Sequence, residues 1–181
     1  MMPIGPLMIE HRLIEKVIAL MEKAILRAED ASQIDPDLIQ DFTHFIRFYA
    51  DQCHHGKEED ILFKELGKKN ISREHETIIG QLIEDHKWGR KTTSELASAN
   101  EKYRKGDGNA FSEIMAKMKA LIEFYPRHIH KEDRNFFEPV MGYFTREEKD
   151  AMLGEGYALD SKLLHEAYAE MVSGMEERLK T

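Results

Sequence analysis

Apolar residues recur at alternating spacings of three and four along this chain, and no stretch alternates with a period of two. That pattern belongs to helices with one buried stripe and excludes a sheet. The first stripe is Leu7, Ile14, Ile18, Met21 and Ile25, with His11 in step. The second runs Ile39, Phe42, Ile46, Tyr49 and Cys53 after an Asp35-Pro36 start, and proline suits a first helical turn. Its end is expected at Leu66-Gly67, with the glycine as a left-handed cap. A third opens after Ser72 and carries Ile79, Leu82, His86 and Leu96. The fourth follows "GDGN" and runs Phe111, Ile114, Met118, Leu121, Tyr125, His128 and Glu132. Pro126 is expected to kink or open that last helix. Four long helices with short connections predict an all-α, up-down antiparallel four-helix bundle over residues 1–144.

The two halves of this bundle echo each other. "HHGKEEDILF" from His54 aligns with "HIHKEDRNFF" from His128, and "EHRLIEK" from Glu10 with "DHKWGRK" from Asp85. The offsets are 74 and 75 residues, the mark of an internal duplication. Chain counting then sets heights. His11 lies 17 residues before Ala28, Pro36 lies 18 before His54, and both His86–Arg104 and Ala110–His128 span 18. At about 1.5 Å per residue in antiparallel helices, these matched runs bring all four histidines to one level.

Positions i and i+4 share a helix face, so His54/Glu58 and His55/Glu59 both qualify as an inward pair. The stripe selects between them. His54 and Glu58 border the arc of Ile46, Cys53 and Ile61, and Ile129 takes the place of His55 in the second half. His54 is therefore expected inside, and His55, like His130, solvated or beside the ligands. Six inward groups result: His11, His54, Glu58, His86, His128 and Glu132. Buried charge is costly unless paired or bound to metal, so the cluster predicts a metal site. Imidazole with carboxylate suits iron or manganese, and there is no thiolate cluster of the kind a structural zinc site uses. Six donors are too many for one zinc. They fit two ions, each with two histidines and both bridged by Glu58 and Glu132.

A net charge of −8 argues against nucleic acid as a partner. The single cysteine, Cys53, forms no internal disulfide, and no apolar run approaches the roughly 18 residues of a membrane span. The start "MMPIGPLMIEH" shows no export signal. A cytoplasmic protein with no membrane partner is expected.

The pattern His11, His54-x-x-x-Glu58, His86, His128-x-x-x-Glu132, with its surrounding motifs, resembles the hemerythrin-like family, also called the HHE cation-binding domain. The resemblance covers about residues 5 to 140. It implies a bundle holding a non-haem di-iron centre, with manganese or a mixed pair as substitutes. It also implies a small ligand: dioxygen, nitric oxide or peroxide, in sensing, scavenging or an iron or stress response. The alternative it carries is a di-iron redox enzyme or an iron donor in iron–sulfur cluster repair. Oxygen-carrying members have a fifth histidine one turn from its partner on the third helix. Leu82 and Arg90 occupy those turns here, so reversible oxygen carriage is not expected.

Of the remaining histidines, His75 is read as a packing or capping residue, and His44 and His165 have no partner motif; Tyr125, one turn before His128, is read as a core tyrosine, with lining of the metal cavity as the alternative. "TREE", residues 145–148, is a capping box that opens a further helical segment, with a break expected at Gly154 or Gly156. Residues 145–181 form this C-terminal extension. Its stripe of Tyr157, Leu164, Tyr168, Met171, Met175 and Leu179 must bury against the bundle or, as the alternative, a second copy in a homodimer.

Overall fold

A computed structural model describes residues 2–160 and 162–180; Met1, Ser161 and Thr181 lie outside the described residues. Helix α1 spans Ile4–Ala31 and α3 spans Arg73–Arg104. Helix α2 occupies residues 36–66. It starts as regular α-helix over Pro36–Phe45, widens to i→i+5 bonding over Ile46–His55 and again over Glu58–Phe63, and closes with Lys64–Leu66. Helix α4 is regular over Ala110–Lys131, widens over Glu132–Phe136 and ends with Phe137–Val140. Helices α5 (Arg146–Leu159) and α6 (Lys162–Arg178) complete the chain. No strand occurs among the described residues. Nor is any helix there long and apolar enough to cross a membrane.

Local chemistry accounts for the starts of three helices, α2, α3 and α5. Asp35 accepts from the Asp37 N–H at 2.8 Å ahead of Pro36, and Ser72 accepts from the His75 N–H at 3.2 Å. Thr145 and Glu148 exchange both bonds of the capping box. Helix ends depart from the sequence reading. Gly67 keeps right-handed helical angles (φ −61°, ψ −14°), whereas the left-handed residues are Ser32, which ends α1, and Gly106 in the α3–α4 turn. Helix α4 continues as regular helix through the exposed Pro126 and widens only at Glu132. Helix α5 likewise passes through Gly154 and Gly156 without a break.

The core consists of two apolar clusters with a polar layer between them. One gathers Ile14, Phe45, Tyr49, Leu96, Met118 and Tyr125. The other gathers Leu7, Ile61, Leu82, Phe136, Phe137 and Met141. Along each of the four bundle helices the chain passes from one cluster to the other through a histidine: Leu7–His11–Ile14, Tyr49–His54–Ile61, Leu82–His86–Leu96 and Tyr125–His128–Phe136. Four long helices thus hold one polar layer dry from above and below.

The C-terminal helices cover one side of this bundle. Tyr168, Val172 and Met175 of α6, and Leu179 just past its end, are buried in the first cluster, with Leu164 and Met171 half-buried against it. Tyr157, a member of the sequence stripe, is instead 54% exposed on α5, whose Met152 joins the second cluster. Two histidines hydrogen-bond across the α2–α6 seam: His165 to the Tyr49 hydroxyl at 2.7 Å and His44 to the Tyr168 hydroxyl at 3.3 Å.

Candidate metal centre

All six residues expected at the centre are buried side by side. Glu132 is the hub: its carboxylate lies 3.2 Å from His11 Nε2, 3.2 Å from His128 Nε2 and 3.7 Å from His86 Nε2. Glu58 faces it, 3.3 Å from His86 Nε2 and 3.6 Å from His54 Nε2. His11, His54, Glu58 and Glu132 offer ligand atoms all within 4.8 Å of one another, one ion's worth of donors.

The second such group corrects the sequence reading. It consists of His55, His86 and His128. His55 is not solvated but 2% exposed, its ring stacked on that of His86 with centroids 3.9 Å apart. The cause is the i→i+5 bonding of Ile46–His55. Each wide turn takes an extra residue, so successive side chains lie closer in angle than in an α-helix. His54 then turns toward α1 and His55 toward α3 and α4, and both face inward. The equivalent position on α4, Ile129, belongs to regular helix and packs in the apolar cluster. The duplication is imperfect at this one place. His130, by contrast, is exposed as expected.

A single plan governs the imidazoles. Nδ1 of His11 donates to Asp133 (2.7 Å), of His54 to Glu10 (2.8 Å) and of His86 to Glu59 (2.6 Å). The longer contacts are His128 to Asp85 (3.3 Å) and His55 to Asp51 (3.4 Å). A carboxylate accepts, so the proton sits on Nδ1 and the Nε2 lone pair points to the centre. Each carboxylate is in turn held by a cation. Arg12 grips Asp133, Lys57 grips Glu10, Lys131 holds Asp85 at 2.7 Å, and Arg90 spans Glu59 and Asp51 at 2.7 and 2.6 Å. Arg90, in the place of a missing helix-three ligand, has this orienting role. The Nε2 atoms of all five histidines and both oxygens of Glu58 and Glu132 are buried without a hydrogen-bond partner. Buried polar atoms are nearly always satisfied, so nine orphans converging on one space fit metal ions.

Protons hold part of that role when metal is absent. Burial opposes charging His11, but the Asp133 hydrogen bond and the adjoining Glu132 carboxylate outweigh it, raising its pKa to about 10. His86 also rises to about 10, against burial, through Glu132 and Glu58. Burial keeps His54 neutral, with its pKa lowered to about 3. Imidazole must shed its proton to bind metal, so loading the metal-free protein at pH 7 is expected to release about two protons per chain. Apparent affinity should therefore rise with pH toward 10, by about tenfold per pH unit for each proton displaced. The folding contribution runs oppositely: a raised imidazole pKa stabilises the metal-free fold fully below 6.5 and loses that effect as pH rises through 10. Calorimetry in buffers of differing ionisation enthalpy counts the protons; a count of zero would refute the assignment of charge.

A cleft of about 240 Å³ opens beside this layer, lined by Arg47, Asp51, His55, Arg90, Thr93 and Tyr125 among others. Tyr125, expected in the core, is buried and also walls this cleft.

A family model described as the hemerythrin HHE cation-binding domain matches residues 2–140. No curated protein and no solved structure gives a significant match.

Proposed function

Because the chain belongs to the hemerythrin HHE cation-binding domain family, and is thereby a metal-binding protein, we propose that it holds two iron ions and uses them to bind or react with a small ligand, dioxygen, nitric oxide or peroxide. The observation that carries this is the set of buried, partnerless donor atoms between the two apolar clusters. Bound iron supplies redox electrons and a coordination position for the ligand. Glu58 and Glu132 lie between the two histidine groups, where they would help to hold both ions. Their oxygens, with the imidazoles, favour iron or manganese over a closed zinc site. The apolar clusters above and below exclude water and bulky polar substrates. The cleft walled by Arg90, Thr93 and Tyr125 is the route by which a small molecule reaches the layer.

Metal analysis of purified protein is expected to give two ions per chain. Stopped-flow mixing of the reduced, iron-loaded protein with dioxygen or nitric oxide is expected to change its optical spectrum. Inertness toward both gases and peroxide would leave storage or donation of iron, read as transfer to a chelator or an apo-cluster protein.

A further inference from the structure

The geometry points to His55 as a seventh metal ligand, the third imidazole of one ion, so that the two ions are unlike: two histidines on one and three on the other. This rests on the two-metal reading above and deepens it. His55 shares three features with the other four inward imidazoles. It is 2% exposed, its Nδ1 faces a carboxylate gripped by an arginine, and its Nε2 is buried without a partner. Its nearest neighbours on the inside are His86 and His128, and the ligand atoms of the three lie within 4.8 Å of one another. The two glutamates serve both groups, so the imidazole count alone distinguishes them.

A packing role accounts for less. A stacked aromatic there needs no nitrogen, and an imidazole with one buried, unpaired nitrogen bears an uncompensated desolvation cost. Phenylalanines already stack on this layer without that cost: Phe137 against His11 and Phe124 against His128. Nor would packing explain why Arg90 bridges Asp51 and Glu59, the two carboxylates that orient the stacked pair His55 and His86. The fifth imidazole comes from α2 because wide turns bring two consecutive residues inward.

Metal titration of wild type, His55→Ala and His130→Ala, followed by elemental analysis and cobalt(II) absorption, tests the assignment. His55→Ala is expected to keep one ion and to bind the second on the order of 100-fold more weakly, as loss of a direct donor implies. Free imidazole should restore that second ion, a rescue that a packing defect would not show. His130→Ala should match wild type. Proton NMR of cobalt-loaded wild type is expected to show five exchangeable, strongly shifted imidazole N–H signals, one per ligand ring, and requires no variant. Two ions bound at wild-type affinity in His55→Ala, or four such signals in wild type, would overturn the assignment alone. A wild-type chain that binds a single ion would overturn the two-metal reading along with it.

Discussion

Glu132→Ala is expected to lose both metal ions, with affinity falling by more than about 100-fold, since even residues behind a ligand cost about 10–100-fold. Glu132 is fully buried and within 3.7 Å of three imidazoles drawn from both histidine groups, so neither ion keeps its donor set without it. The metal-free protein should also suffer. His11 is charged there through Asp133 and Glu132 and His86 through Glu132 and Glu58, and removing one partner of a buried charge pair costs about 3–5 kcal/mol. With that carboxylate gone, both imidazole pKa values should fall. Glu132→Gln separates the two effects, because it keeps the volume while losing the charge. Glu59→Ala, which removes only the carboxylate behind His86, should fall between wild type and Glu132→Ala. Elemental analysis and thermal melts with and without chelator check the series. Retention of two ions by Glu132→Ala would end the bridging assignment.

Ending the chain after Phe144 is expected to destabilise the fold severely and to weaken metal binding as well. Tyr168, Val172, Met175 and Leu179 leave the core together, and each such side chain contributes about 1.5–3 kcal/mol when buried. Their sum is comparable with the roughly 5–15 kcal/mol total stability of a typical domain. The metal effect follows a chain of contacts. Asp160 ion-pairs with Lys57 at 2.9 Å, Lys57 holds Glu10, and Glu10 orients His54. Truncation opens this chain to water at its outer end. Circular dichroism, size-exclusion chromatography and metal titration of the truncated protein measure both effects. A monodisperse truncated protein with unchanged stability would show that the extension is dispensable. The single change Asp160→Ala isolates the second effect, with an expected loss in affinity for the His54 ion and little change in fold.

The helices, the bundle and the level at which four histidines meet are all written in the amino-acid sequence. Those features follow from local quantities: a period near 3.6, caps such as Thr145 with Glu148, and runs of equal length measured at a fixed rise per residue. The six inward positions were legible for the same reason, since His54-x-x-x-Glu58 and His128-x-x-x-Glu132 lie one turn apart on an inward face.

His55 was not legible, because its direction depends on helix width. At 100° per residue throughout, a helix whose core face contains His54 sends His55 away from that face. The 74- and 75-residue offsets do differ by one, but a loop and a wide turn accommodate that difference equally. Only the packed α2, with i→i+5 bonds through Ile46–His55, turns both histidines inward. Likewise, nothing local in "DHKWGRK" identifies Arg90 as the residue that spans Asp51 and Glu59, since those carboxylates belong to another helix. A count of four histidines tells against reversible oxygen carriage, and the tertiary structure places a fifth imidazole in the same layer. Periodicity along one helix reveals which residues face inward; how far a helix unwinds is settled by what its neighbours present to it.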